Sequence, residues 1–297
     1  MGQEHGDRWA DWLLERRHGG DEMALRRTLS FLEPIRDRVI AAAAIGPGSM
    51  VVDVGCGDGL LGFAAAGLVG ESGRVSFLDI SPELLDRYRE IASELDLRDR
   101  CRFVQGSAES LDEIGDESVD AVLTRSVLIY VDDKARTFEE FHRVLKPGGR
   151  ISLFEPINSR IVALNQDLLF GYDVGPVSEL ADKIRQVYDA ANPANGPMLN
   201  FDETGLLSLA EEAGFVEAYV TLELASTNRT PHAGLSWTSL MRTSPNPNAP
   251  TYGDAIRRAL SREEVSRLED YLRPMIESGA PGRMRKAGAF ITAKRAG

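Results

Sequence analysis

The chain has 297 residues, a formal net charge of −12, and hydrophobic and charged fractions of 43% and 27%. It is long enough for one large domain or two modest ones and can bury a substantial core without staples. The acidic balance argues against a broad nucleic-acid footprint, and no stretch approaches the roughly 20 apolar residues that span a bilayer.

Two cysteines, Cys56 and Cys101, share no metal or redox spacing, which fits a reducing compartment rather than a disulfide framework. The opening MGQEHGDRWADW has no apolar signal core, and Gly6 breaks the myristoylation pattern. A cytoplasmic protein is the expectation.

In chain order, Trp9, Trp12 and Leu13 recur at helical spacing before HGGD breaks the pattern. A second helix is predicted from about Glu22 to Ala44, kinked or split by Pro34 and ended by Gly46, Pro47 and Gly48. MVVDV then reads as a strand buried on both faces, LLGFAAAGLV as a helix and RVSFLD as a second strand. Ser81 caps the helix PELLDRYREIASEL, with Pro82 at its first position. CRFVQ and VDAVLTR are the third and fourth strands. DDKARTFEEFHRVL is a helix ended by Pro147, Gly148 and Gly149, and RISLFEP is the fifth strand. Asn158 to Asn200 reads as one or two helices and a loop. DETGLLSLAEEAGF is a helix ending at Gly214, and Phe215 to Ala225 is a strand. Ser226 to Tyr252 reads as irregular. Two helices follow, near Ala255–Leu260 and Arg262–Ile276, and KAGAFITAKR is the last strand.

This alternation predicts an α/β fold with a mostly parallel sheet, helices on both faces and right-handed crossovers. Residues 1–47 form a helical N-terminal lid and 48–157 a Rossmann-like core. Residues 158–200 are a helical insertion. Residues 201–297 complete the core around a second insertion at about 226–277. Ligands of such sheets bind beyond the carboxyl ends of the strands, so both insertions read as caps over that edge. The plain alternative is extra core or a dimer surface; monomer and homodimer both stay open.

The stretch VVDVGCGDGLLG admits two cofactor readings. Gly57, Gly59 and Gly62 fit G-x-G-x-x-G, but in a dinucleotide fingerprint the first glycine directly follows the strand. Here that glycine is Gly55, and Leu60 then stands where the third is needed. The other frame places Asp53 in the strand, followed by Gly55, Gly57 and Gly59. This frame resembles the first motif of class I S-adenosylmethionine-dependent methyltransferases. The resemblance extends over about Met50 to Pro156. The segment DAVLTRSVLIYVDDKARTFEEFHRVLKPGGRISLFEP looks very like that of methyltransferases related to the ubiquinone and menaquinone biosynthesis enzymes. It implies the Rossmann-like sheet with its last strand antiparallel, S-adenosyl-L-methionine as cofactor, and a methylated acceptor.

On that resemblance Asp53, Gly55, Cys56, Gly57 and Gly59 form the turn under the methionine part of the cofactor. Asp79, which closes the second strand, takes the ribose hydroxyls, as it would for a dinucleotide too. Ile80 covers the adenine. Ser107, Ala108 and Glu109 stand where the family often has G-D-A-E, with Ser107 replacing the acid. Arg125 and Ser126 follow the fourth strand near the sulfonium end, where Arg125 either binds an acidic acceptor or forms a structural ion pair.

Candidate catalytic groups are Tyr130, Glu155 and His18, each with a plain alternative: core packing for Tyr130, capping for Glu155, a loop position for His18. His142 reads as a surface residue. Phe170, Tyr172, His232 and Trp237 are candidates to line an acceptor pocket. No spacing suggests a metal, and two cysteines are too few for the thiolate set of arsenic methyltransferases. The expected function is S-adenosylmethionine-dependent O-, N- or C-methylation of a small molecule, a natural product or quinone-like ring. The competing readings are an adenosylmethionine-binding protein with another role and an NAD-dependent oxidoreductase. No nucleic-acid or membrane partner is expected.

Overall fold

A computed structural model describes residues 7–297. By Cα proximity the chain divides into two units. A core unit holds Glu33–Ile157, Asn200–Glu223 and Gly288–Gly297, and a second, mainly helical unit holds Met1–Leu32, Asn158–Leu199 and Leu224–Ala287.

The chain begins with α1 (Arg8–Asp11), whose start is capped by the Asp7 carboxylate, and α2 (Glu22–Ala42). Next come β1 (Met50–Val54), α3 (Leu60–Leu68), β2 (Arg74–Asp79), α4 (Pro82–Glu94), β3 (Cys101–Gln105), β4 (Val119–Arg125), α5 (Lys134–Val144) and β5 (Leu145–Pro156). The helical unit then contributes α6 (Asn158–Leu164), a small ribbon of β6 (Leu168–Leu169) and β7 (Tyr172–Asp173), and α7 (Ser178–Ala191). The chain continues through α8 (Glu203–Glu212), β8 (Val216–Thr227), α9 (Trp237–Arg242), α10 (Tyr252–Ala259), α11 (Arg262–Glu277) and β9 (Met284–Lys294).

The main sheet has the order β3-β2-β1-β4-β5-β9-β8. β1 pairs in parallel with β2 and β4, β2 with β3, and β4 with β5, whereas β9 runs antiparallel to β5. The α/β sheet with an antiparallel last strand is therefore as expected. The central strands are apolar and fully enclosed: Val52, Val54, Val75, Phe77, Val122, Leu123 and Ile151 are each 0% exposed. Strand order reverses between β1 and β4, and this switch point places the crevice for a ligand at the carboxyl ends of those two strands.

Several expectations change in detail. Pro34 does not split α2, which stays one helix, although the division between units falls at Leu32/Glu33 beside it. Val39 is 1% exposed, and its carbonyl accepts the Ser152 hydroxyl at 2.7 Å, which anchors the second half of the helix. The Pro147–Gly149 stretch does not end α5. That helix stops at Val144, and LKPGG is a bulged start of β5, with a register shift between Val119 and Ala121. The β6–β7 ribbon and α9 lie in stretches read as loop or irregular.

Gly62 explains the misleading glycine frame. A Cβ there would lie 2.3 Å from the Phe77 ring, so this glycine packs α3 against β2. Gly62→Ala is therefore expected to destabilise the core by about 1–3 kcal/mol through overpacking, read as a lowered midpoint in thermal unfolding. An unchanged midpoint would show that the helix shifts freely on the strand.

Candidate functional site

The turn after β1 is built from left-handed glycines. Gly55, Gly57 and Gly59 have φ of 63°, 50° and 71°, a region costly for any residue with a Cβ. At Gly55 a Cβ would also meet Val127 at 2.5 Å. The turn is held from β2: the Gly57 N–H donates to Asp79 Oδ2 at 2.9 Å, and the Cys56 N–H to the Leu78 carbonyl at 3.0 Å. The other Asp79 oxygen accepts the Ser81 N–H at 3.0 Å, fixing the entry to α4. Ile80, between these anchors, is 45% exposed, unusual for so large an apolar side chain.

Arg125, at the end of β4, donates to Asp58 Oδ2 at 2.8 Å and ties the glycine turn to the neighbouring strand. The structure thus selects the ion pair for Arg125, and Asp58 is a participant that the motif reading passed over. Its signal was present: it is the acid between Gly57 and Gly59. Ser126 takes a left-handed φ of 59° and donates its N–H to the Phe154 carbonyl at 2.9 Å.

Asp53 is 2% exposed, and its Oδ2 is buried without a hydrogen-bond partner among the described residues. Burial pushes its carboxyl up to about 8; the Gly62 N–H pulls the other way, while Asp58 and Asp79 push it further and Arg125 opposes them. Burial likewise drives the Cys56 thiol well above its ordinary value, so this cysteine is an inert filler of the turn. Asp58 and Asp79 both act on Asp53 here, and Arg125 opposes them. Such a grouping of acids suits a ligand that brings positive charge.

Beyond β3, the Ser107 hydroxyl accepts the Glu109 N–H at 3.2 Å, Ala108 is 7% exposed, and Glu109 Oε1 accepts the Asp133 N–H at 2.7 Å. Glu109 thereby secures the approach to α5, and Ser107 turns its own loop.

Glu155 is corrected from a candidate base to an internal clamp. It is 0% exposed; Oε1 accepts the Val127 N–H at 2.9 Å, and Oε2 faces the Ile129 N–H at 3.4 Å. Burial pushes it up to about 7 against the pull of those N–H groups. The clamp shapes the helical turn Leu128–Tyr130, so it positions the segment that carries half-buried Tyr130. His142 is also corrected: its ring packs edge-on against Phe215 at 5.2 Å, between α5 and the end of α8. Lys134, unnoticed in the sequence, is 7% exposed and donates to the Val131 carbonyl at 2.8 Å and Asn200 Oδ1 at 3.0 Å.

The remaining candidates belong to the helical unit. His18 lies in the turn before α2, where its carbonyl accepts the Asp21 N–H at 3.0 Å. Phe170 meets His232 at 5.9 Å and Trp237 at 6.5 Å between ring centroids, so three of the four predicted pocket residues gather in one aromatic group. Tyr172 is held apart by its own hydrogen bonds. It is 3% exposed, and its hydroxyl lies 3.2 Å and 3.1 Å from the Met275 and Ala280 carbonyls. Among the described residues no group of three or more His, Cys, Asp or Glu is placed to hold a metal ion, and no helix is long and apolar enough to cross a membrane.

A carboxyl raised by burial holds its proton more tightly folded than unfolded. Its contribution to stability is full below about pH 4 and disappears as pH rises through the folded value. For Asp53 that window runs from about 4 to about 8. The stability of the wild type relative to Asp53→Asn should therefore fall as pH is raised from 5 to 8 in denaturant titrations; a difference independent of pH would contradict the burial argument.

A family model described as a methyltransferase domain matches residues 45–191. The arsenite methyltransferase of Halobacterium salinarum is 32% identical over 155 residues, covering 51% of this chain and 39% of that protein. The chain therefore spans well under half of this relative. The ubiquinone/menaquinone biosynthesis C-methyltransferase of Klebsiella pneumoniae is 30% identical over 178 residues, covering 59% of this chain and 70% of the relative. In fold, a geranyl diphosphate methyltransferase solved with SAM superposes with a TM-score of 0.53 at 18% identity, covering 94% of each chain. With the sheet order, the glycine turn and these relatives in agreement, the chain belongs to the S-adenosylmethionine-dependent methyltransferase family.

Proposed function

We propose that this methyltransferase acts on a small organic acceptor, an aromatic, quinone-like or natural-product ring. We assign its cofactor to the turn after β1, between Asp53 and Asp79. The observation that carries the assignment is the unpartnered Asp53 Oδ2 beside three left-handed glycines. A buried carboxylate oxygen without a donor is costly, and an ammonium is the group that would satisfy it. S-adenosyl-L-methionine brings an ammonium and supplies, when bound, a methyl group activated on a sulfonium. Asp79 would accept from the ribose, exchanging or sharing its backbone donors; Ile80 offers an exposed apolar face to the adenine, and Ser107 to Glu109 border it. Tyr130, carried on the turn that Glu155 clamps, remains the candidate to meet the acceptor.

Transfer to carbon, oxygen or nitrogen needs alignment and exclusion of water, with a base only where the acceptor must lose a proton. Phe170, His232 and Trp237 stay as candidate acceptor contacts. Arsenite itself is disfavoured for this chain. Of its two cysteines, Cys56 is buried in the glycine turn, which leaves too few thiolates to hold a soft metalloid. Two free cysteines also suit a reducing, cytoplasmic setting.

Methyl transfer from tritiated S-adenosylmethionine to a panel of phenols, quinols, amines and thiols tests the acceptor class. Label in a ring compound is expected; cofactor binding with no transfer to any member would favour a non-methylating role. Asp79→Ala should weaken S-adenosylhomocysteine binding at least about tenfold by calorimetry while leaving the chain folded, and unchanged binding would move the cofactor elsewhere. A cationic ligand favours the ionised form of Asp53, so binding releases its proton. Cofactor affinity should rise from pH 6 to about 8 and then level. Asp53→Asn should bind more weakly, with this rise removed.

A further inference from the structure

A cavity of about 960 Å³ opens within the helical unit, where α7, the end of α10, the loop ahead of α10 and Arg16 come together. That is the size of a small-molecule site, for which about 300–1,000 Å³ is usual. Arg16, Lys183 and Arg258 line it, and no acid is among the described residues that do. The chain as a whole carries a net charge of −12, so the sign of this lining is opposite to that of the molecule.

The three cations are held in different ways. Arg16 is committed to structure: its Nε donates to Asp11 at 2.6 Å, and its terminal nitrogens reach the Pro247 and Ala249 carbonyls at 3.4 and 3.5 Å. Lys183 pairs with Glu264 between side chains that are 45% and 27% exposed, a setting in which water weakens the pair. Arg258 makes no hydrogen bond or ion pair among the described residues. Asp254, the acid on its own helix, spends its oxygens on Thr251 and Arg257 instead, at 2.7 Å each. The side-chain amides of Gln186 and Asn248, also in the lining, are likewise without hydrogen bonds among the described residues. Much of the remaining lining is apolar, with Val187, Ala190, Pro247 and Pro250 in it.

A second observation concerns the wall. The loop from Thr243 to Pro250 turns its polar groups inward: Ser244 is 3% and Asn246 is 4% exposed. The Ser244 hydroxyl lies 2.7 Å and 2.9 Å from the Asn246 and Ala249 carbonyls, and Asn246 Oδ1 accepts the Asn248 N–H at 2.9 Å. The Ser244 N–H donates to the Arg16 carbonyl at 2.9 Å, and its carbonyl accepts the Trp12 indole N–H at 3.0 Å. Prolines restrict the loop further. A wall fixed in this way has little freedom left to lose on binding.

We propose that this cavity binds an organic dianion, a small apolar body with two separated carboxylate or phosphate groups. Arg258 and Lys183 take the charges, Gln186 and Asn248 supply neutral hydrogen bonds, and Arg16 keeps the wall in place. The site stands apart from the cofactor and acceptor assignments. A monoanion would leave one of the two cations unmatched, and inorganic phosphate would leave the apolar lining wet. An organic cation would be opposed by all three charges.

Calorimetric titration of the full chain at low salt with naphthalene-2,6-dicarboxylate, 2-naphthoate and inorganic phosphate tests this. The dicarboxylate should bind most tightly, and its affinity should fall as salt is raised. Arg258→Gln should weaken it about tenfold or more, the range of a hydrogen bond to a charged group, and Lys183→Gln at least about threefold. The melting temperature of Arg258→Gln should not change, since the side chain has no partner to lose. Arg242→Gln is the control for charge alone. Arg242 also makes no hydrogen bond or ion pair among the described residues, but it lines a different cavity, with Trp237 and Met241, and its removal should leave the dicarboxylate affinity unchanged. Saturating S-adenosylhomocysteine should leave it unchanged too. The proposal is overturned by any of four results: no binding of the dicarboxylate, no preference for it over 2-naphthoate, an Arg258→Gln effect no larger than that of Arg242→Gln, or competition with S-adenosylhomocysteine, which would place the probe in the cofactor turn.

Discussion

The hydrogen bond from the Gly57 N–H to Asp79 is the constraint on which the site depends. It joins the last residue of β2 to the middle of the turn after β1, across adjacent parallel strands. Without it, three glycines with free choice of φ would have no reason to keep one shape. With it, the same carboxylate fixes the turn and, through Ser81, the start of α4. The acid need not be created for a ligand. It is already aimed at the crevice because the fold uses it there.

The other strand-end acids follow the same logic with different outcomes. Glu155, near the end of β5, accepts from the Val127 and Ile129 N–H groups after β4 and from the Thr124 hydroxyl within it, so its burial serves geometry. Asp53 in β1 is enclosed to a similar degree but keeps an oxygen unsatisfied. Buried carboxyls near the ends of β1 and β5 thus divide into a clamp and a group with one oxygen unpartnered among the described residues. The difference is the count of available N–H donors, which a motif does not display.

Legibility of the chain followed the same boundary between pattern and context. The five parallel strands of the core were readable because continuous apolar runs such as MVVDV leave no other way to bury both faces. The start of α4 was readable to the residue through Ser81 and Pro82. The β6–β7 ribbon was not, since two-residue strands carry no period and the turn depends on Phe170 adopting a left-handed φ. α9 was hidden among turn-forming residues, although Ser236 caps it, because six residues give less than two helical turns. His142 looked solvated because its helix is charged; only the position of α8 shows that Phe215 covers it. Among site residues, the glycines, Asp53 and Asp79 were visible in spacing. An ion pair was among the readings of Arg125, but its partner Asp58 was not picked out, since a pair between a turn and a distant strand does not show which acid closes it.

The two units therefore embody two kinds of construction. In the core, recognition is written in backbone: left-handed glycines, strand-end acids and N–H groups, all set by a sheet order shared across the family. In the helical unit the packing is written in side chains from separate segments, among them Phe170, Tyr188 and Tyr252. A backbone site tolerates little change without loss of the fold, as the 2.5 Å approach to Val127 at Gly55 shows. A box of rings can exchange one hydroxyl for a hydrogen at little cost to packing.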